Sequence, residues 1–171
     1  MEMNYCRRCG AKLNLVQDHV YKCENGHTIY NNASPASCLW ILNDKNEVLV
    51  AVRSREPGIG KLDAPGGFSD GAESFEDSIA RELLEELGLT KDDYTNPQYI
   101  LSAASQYAWG GEKINILGGV FWARLIGNPT IEAKDDVAEA HFMAMKDVDP
   151  DMIYFNEVRE GFLQLRDSGI V

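Results

Sequence analysis

Gly66-Gly67-Phe68-Ser69-Asp70-Gly71-Ala72-Glu73-Ser74-Phe75-Glu76-Asp77-Ser78-Ile79-Ala80-Arg81-Glu82-Leu83-Leu84-Glu85-Glu86-Leu87-Gly88-Leu89 is the stretch on which the fold turns. From about Ser74 to Leu87 its apolar residues recur with helical spacing, and Gly88 stops the helix. Ser74, with Asp77 three residues on, is a near relative of the capping box and gives the helix a defined start. At about 100° per residue with Ile79 as zero, Leu83, Leu87, Ala80 and Leu84 fall at about 40°, 80°, 100° and 140°, one apolar stripe. Glu85, Glu82 and Glu86 fall at about 240°, 300° and 340°, on the other side. Like charges three and four apart repel by roughly 0.2–0.5 kcal/mol a pair, and only Arg81 stands nearby to offset them. Such a face is either a solvated acidic surface or a set of oxygens gathered for a hard divalent cation.

The loop before the helix, Leu62-Asp63-Ala64-Pro65-Gly66-Gly67-Phe68, reads as a plain turn or as backbone brought close to a cation or a phosphate by the paired glycines. Further upstream, Cys38–Leu42 and Val48–Val52 read as strands joined by a turn at Asn43–Asn46, a hairpin. A Gly- and Pro-rich loop is predicted from Pro57 to Gly71. Downstream, strands are predicted near Tyr99–Ser105, Ile116–Leu125 and Ala140–Ala144, with a turn at Gly127-Asn128-Pro129. A last helix is predicted over Asn156–Asp167, closed by Gly169. There is no internal repeat. Strands and helices without regular β-α alternation predict an α+β fold with a mixed-sheet sandwich and not a doubly wound sheet.

With 171 residues, 16 Lys+Arg against 27 Asp+Glu, and a net charge of −11, nucleic-acid polymers are poor first partners. No run approaches the roughly 18 apolar residues of a membrane span, and the first residues lack the apolar core of a secretory signal. A cytoplasmic protein is expected. Residues 1–33 carry four basic and three acidic side chains, leaving −12 for the rest, and this shift places a boundary near Asn31-Asn32-Ala33-Ser34-Pro35. A segment of about 33 residues buries too little apolar surface to fold unaided and needs a staple. Cys6-x2-Cys9, a spacer of 13, then Cys23-x3-His27 has the knuckle spacing of a tetrahedral zinc site. Metal ligation fits a reducing compartment better than disulfides do. His27 is the first candidate for the fourth ligand. His19 is a lesser one, and Cys38 lies in a predicted strand as a core thiol.

Gly67, five residues, Glu73, seven residues, then Arg81-Glu82-Leu83-Leu84-Glu85-Glu86-Leu87-Gly88-Leu89 matches every fixed position of the Nudix box, Gly-x5-Glu-x7-Arg-Glu-U-x-Glu-Glu-x-Gly-U with U aliphatic. At background composition such a match has a probability on the order of 10⁻⁹ or less. Residues 36–171 thus resemble the Nudix hydrolases. The N-terminal Tyr5-Cys6-Arg7-Arg8-Cys9-Gly10 and Gly26-His27-Thr28-Ile29-Tyr30 resemble the zinc ribbon fused to some of them, including NADH pyrophosphatases, although the last cysteine of the usual pattern is missing.

The resemblance implies a zinc ribbon over residues 1–33 and a Nudix α/β/α sandwich over residues 34–171. It implies a pyrophosphohydrolase that uses Mg²⁺ or Mn²⁺ and water to cleave a nucleoside diphosphate linked to another group, as in NADH or ADP-ribose. A small-molecule nucleotide would be the substrate, the zinc would be structural, and a homodimer is compatible. Glu82, Glu85 and Glu86 would be the metal ligands with the Gly67 carbonyl, and Glu85 or Glu86 would take the proton of the attacking water. Arg81 would fix the glutamates in place. Glu73, Asp136 and Glu139 are candidate extra acids, the latter two equally readable as surface charges. Arg53 and Arg55 could clamp phosphate or be sheet-edge charges. Tyr107 and Trp109 could stack on a base or pack in a hairpin. NADH pyrophosphatases carry Ser-Gln-Pro-Trp-Pro-Phe-Pro-x-Ser where this chain has Ser105-Gln106-Tyr107-Ala108-Trp109, which argues against strict NADH specificity. The remaining readings are a triphosphate-cleaving Nudix enzyme and a module that senses a nucleotide without cleaving it.

Overall fold

The structure, a computed structural model, describes residues 3–170. Strands β1 (Leu13–Gln17), β2 (Val20–Cys23) and β3 (Thr28–Tyr30) form a small antiparallel sheet in the order β1-β2-β3. Among the described residues its buried core is Cys6, Leu13, Cys23 and Ile29, with Met3, Ala11 and Tyr21 packed against it, too few apolar groups to hold it without another constraint. Three residues past β3 the chain enters the main sheet.

That sheet is built from β4 (Ser34–Leu42), β5 (Glu47–Arg53), β6 (Leu62–Asp63), β7 (Gly66–Phe68), β8 (Gln98–Trp109), β9 (Glu112–Arg124) and β10 (Val137–Ala144). The central order is β10-β5-β4-β9-β8, with β6 paired to β5 and β7 to β4. Only β4 and β9 run parallel; the other pairs are antiparallel, so the sheet is mixed as expected. Helix α1 (Phe75–Leu87) lies on one face and α2 (Asn156–Asp167) on the other.

The central strands read as unbroken apolar runs because both faces are covered. Along β4, Cys38, Trp40 and Leu42 join the α2 residues Val158, Phe162 and Leu165, while Leu39 and Ile41 join Ile79, Leu83 and Leu87 of α1. β5 repeats the alternation with Val48 and Val50 on one side and Leu49 and Ala51 on the other. Trp40 anchors α2: its ring lies 5.4 Å from that of Phe162, and its indole N–H donates to the Val158 carbonyl at 3.4 Å.

Four features differ from the sequence expectations. The β4-β5 hairpin exists, but its strands pair only at Leu42 and Val48 and then splay apart. The segment read as one loop from Pro57 to Gly71 fills the wedge with β6 and β7: Asp63 pairs with Ala51, and Gly67 with Ser37. Strands β8 and β9 are far longer than expected because Gly110 and Gly111, at φ of 57° and 82°, make the tight turn that joins them. The helix is also rolled from its expected orientation. Leu84 is solvent-exposed, whereas Ser78 and Glu86 are buried with Ile79, Leu83 and Leu87, so the inward arc is centred near Ile79 and includes part of the acidic side.

Phe162 is fully buried against Trp40, so Phe162→Ala should cost about 3–5 kcal/mol of folding free energy. Urea denaturation with an unchanged m-value would give that difference directly, and a loss below 1 kcal/mol would contradict the packing of α2.

Candidate active site and Cys/His centre

Helix α1 begins as the sequence predicts. The Ser74 hydroxyl accepts from the Asp77 N–H at 3.1 Å, and Gly88 closes the helix in the left-handed conformation with φ of 72°. Its acidic edge faces the wedge strand β7. A Cβ on Gly67 would stand 2.8 Å from the carboxyl carbon of Glu82, and one on Gly66, at φ of 148°, would strike the β4 backbone, 2.6 Å from Cys38 Cα. The backbone contact excludes a side chain at Gly66, whereas a Cβ at Gly67 would require the Glu82 carboxyl group to shift.

Arg81 organises the carboxylates. Its guanidinium donates to Glu73 at 2.9 and 3.1 Å, to Glu82 at 2.8 Å, to Glu85 at 3.1 Å and to the Phe68 carbonyl at 2.9 Å. The Arg81 bond, chiefly, holds the Glu73 carboxyl below its usual range. Burial raises that of Glu82 although Arg81 opposes it. Glu86 is buried, and its Oε2 accepts from the Gly66 N–H at 3.0 Å. Burial first, then Glu82, Asp63 and Asp136, push its carboxyl up to about 8 against the pull of that bond. Glu85 is half-exposed.

The other expected residues divide. Asp136, just before β10, is paired with Arg55 at 2.5 Å, and Arg55 also holds Asp135 at 2.7 Å, so Arg55 is committed to anchoring this loop. Glu139 is exposed on β10 and does not line the cavity beside the acids. Arg53 pairs with Asp63 at 2.7 Å, donates to the Pro57 carbonyl at 2.7 Å and lies 4.9 Å over the ring of Phe155. Tyr107 stacks on Phe155 at 5.9 Å and meets Phe68 edge-on at 5.4 Å. The side chain of Trp109 lies outside the described residues.

These aromatic rings wall a cavity of about 120 Å³ that reaches Gly67 and Asp136 at one end. Sequence reasoning missed four of its residues. Asp63 is buried, its carboxyl raised to about 6 by burial with Arg53 opposing; it lay in the quoted loop, but no spacing rule singled it out. Phe68, Phe155 and Glu157 come together only through the tertiary fold; Glu157 read as an ordinary acid in a first helical turn.

In the N-terminal sheet, Cys6, Cys9, Cys23 and His27 bring their ligand atoms within 4.8 Å of one another. The Cys9–Cys23 sulfurs are 3.8 Å apart, and His27 Nδ1 is 3.3 Å from Cys9 and 3.7 Å from Cys6. A tetrahedron with zinc–sulfur bonds of about 2.3 Å has edges of about 3.8 Å, so the set has the dimensions of a tetrahedral site. Hydrogen bonding from Asn25, and then from the Ala11 backbone, brings the Cys9 thiol down to about 6, toward the thiolate a metal needs. Cys38 belongs to the main core, where burial pushes its thiol well up, and His19 packs near Tyr30.

A Nudix-domain family model matches residues 32–164. The chain belongs to the Nudix family. Among curated relatives it is 28% identical over 151 residues to the NAD-capped RNA hydrolase NudC of Pseudomonas syringae pv. tomato, covering 87% of this chain and 50% of the relative. It is 29% identical over 150 residues to NudC of Pseudomonas aeruginosa, covering 85% and 49%. The chain thus spans about half the length of these relatives. A Nudix hydrolase from Nitrosomonas europaea superposes with a TM-score of 0.71 at 20% identity, covering 98% of this chain and 94% of that one. A MutT Nudix hydrolase from Burkholderia pseudomallei gives 0.64 at 24% identity, covering 78% and 98%. These likenesses establish the fold, the α/β/α Nudix sandwich with a mixed sheet, and the Cys/His cluster is consistent with a zinc ribbon before it.

The raised carboxyls of Glu86 and Asp63 mean that the folded chain holds protons the unfolded chain has released. Stability without added divalent cation should therefore be fullest below about pH 4.5 in this contribution and fall as pH rises toward about 8. Denaturation curves at pH 5 and pH 8.5 should show that fall, Glu86→Gln should flatten it, and added Mg²⁺ should reduce it; a slope identical in Glu86→Gln would contradict the assignment.

Proposed function

We propose that this chain is a divalent-cation-dependent pyrophosphohydrolase acting on a nucleoside diphosphate linked to another group, with dinucleotides of the NAD type as the substrate class. The observation that carries the reading is the burial of Glu86 against the Gly66 N–H beside Glu82, Glu85 and Asp136. Burial and neighbouring acids that push a carboxyl to about 8 are relieved by a divalent cation, and the donors are hard oxygens suited to Mg²⁺ or Mn²⁺. Glu82, Glu85 and Glu86, with the Gly67 carbonyl, would hold the ion. When bound, the cation neutralises phosphate charge and makes a bound water more acidic. Arg81, itself held by Glu73, keeps Glu82 and Glu85 in place, so its part is positioning. Glu85 and Glu86 are the carboxylates available to accept the proton of the attacking water. Asp136, lining the cavity, fits an additional acid better than Glu139 does.

The dinucleotide class is supported by the NudC relatives, named as NAD-capped RNA hydrolases, and by the aromatic wall of Phe68, Tyr107 and Phe155 for a flat ring. Arg53, already paired with Asp63, serves this wall through Phe155 more than it serves a phosphate. The net charge of −11 favours a free dinucleotide over extended contact with an RNA chain. No helix among the described residues is long and apolar enough to cross a membrane. Free thiols at Cys6, Cys9 and Cys23 fit zinc in a reducing cytoplasm. Exposed Tyr5, Leu15, Val16 and Tyr30 on the ribbon support its use as a homodimer face.

A panel of NADH, NAD⁺, ADP-ribose, FAD, diadenosine polyphosphates, dNTPs and an NAD-capped RNA, each with Mg²⁺ and with Mn²⁺, tests the reading. Cleavage at the diphosphate of a dinucleotide is expected, with kcat lowered by several orders of magnitude in a folded Glu86→Gln variant. Turnover of dNTPs alone, or full turnover by Glu86→Gln, would contradict it.

Protein purified without chelator should carry one zinc per chain, lost in Cys23→Ser and in His27→Ala, and stripping it should melt β1–β3 while the main sheet keeps its cooperative transition. Elemental analysis finding no zinc in wild-type protein would refute the ribbon.

A further inference from the structure

Glu157 stands in the second position of α2, is only 6% exposed, and lines the cavity walled by Phe68, Tyr107 and Phe155. Its Oε2 is buried and has no hydrogen-bond partner, and among the described residues Glu157 forms no ion pair. A buried carboxylate oxygen left unpaired is costly, so a site that keeps one calls for a reason. The neighbouring backbone is shaped to seat this side chain: a Cβ on Gly118 would lie 2.8 Å from Glu157 Cγ. The nearby cation cannot satisfy it, because Arg53 is committed to Asp63 and the Pro57 carbonyl. A phosphate would be repelled by Glu157 and Asp63 together, so the ligand group that meets this oxygen lies on the nucleoside, and the surrounding Phe68, Tyr107 and Phe155 rings favour its flat base. An oxo or carboxylate group cannot donate to it; an amino or amide N–H can.

We propose that Glu157 is a specificity-determining residue, whose Oε2 accepts a hydrogen bond from an amino or amide group on the edge of a flat base lying against the Phe68, Tyr107 and Phe155 rings. This rests on the nucleotide reading above and adds which bases the cavity selects. A base with such a group pairs the buried oxygen; a base lacking it leaves the oxygen desolvated and unpaired, which is where discrimination is largest.

Calorimetric binding of two matched pairs to the full chain with Mg²⁺ tests it without requiring turnover: nicotinamide against nicotinic acid mononucleotide, and AMP against purine riboside 5′-monophosphate. Wild type should bind the amide or amino member at least about tenfold more tightly in one pair or both. Glu157→Met, which keeps the volume without the polar group, should reduce that ratio at least about fivefold while the circular dichroism spectrum is unchanged, and Glu157→Gln, whose amide oxygen still accepts, should restore part of it. Binding of the members of both pairs within twofold, a ratio preserved in Glu157→Met, or no measurable binding of any of the four would overturn the proposal. If wild type cleaves no dinucleotide yet prefers the amide or amino member through Glu157, the enzymatic reading fails and this one stands.

Discussion

The closeness of Gly66 and Gly67 to the first helix is the constraint on which the rest of the structure depends. Strands β4 and β5 share a single paired position and then open, and the wedge between them accepts β6 and β7. Gly66 admits no side chain there, because its Cβ would meet the β4 backbone, and a Cβ on Gly67 would displace the Glu82 carboxyl group. The wedge therefore fixes the position of α1 against the sheet, turns Glu86 inward onto a backbone N–H, and brings Asp63 under the same roof.

That arrangement gathers negative charge at one edge of the helix, and Arg81 is what makes it tolerable in the folded chain. One guanidinium bonds three glutamates and a carbonyl, a geometry that its planar fork of donors permits and a lysine would not. The chain uses a contrasting solution at its other end. There, sulfur and imidazole ligands converge with tetrahedral dimensions on a sheet whose apolar core is four residues. In the proposed reading, hard oxygens gathered in one place serve chemistry and soft sulfurs in the other serve folding.

Much of this was legible in the sequence because it rests on local rules. The capping serine, the terminating Gly88 and the period of the apolar residues define α1 to within a residue, and the knuckle spacing brings Cys6, Cys9, Cys23 and His27 together. What the sequence did not reveal is tertiary. The period alone placed Leu84 with the buried stripe, whereas the pull of the wedge rolls the helix so that Leu84 is exposed and Glu86 buried. The splay of the hairpin, and the short strands that fill it, leave no periodic trace in two- and three-residue segments. Asp63, Phe155 and Glu157 meet across nearly a hundred residues of chain, a proximity that no spacing rule encodes. Arg53 and Arg55 looked alike in sequence, and only the fold assigns one to Asp63 and the other to the Asp135–Asp136 loop.

In the proposed reading, the acidic edge of α1 and the glycine wedge form one cation site. The most direct measurement is the anomalous difference density of a crystal soaked in Mn²⁺. A shared site would give a peak between Gly67 and the carboxylates of Glu82, Glu85 and Glu86, with metal–oxygen distances of about 2.2 Å, roughly those of octahedral oxygen coordination. A well-ordered soaked crystal with these side chains still bound only to Arg81 and Gly66, and no density between them, would contradict it.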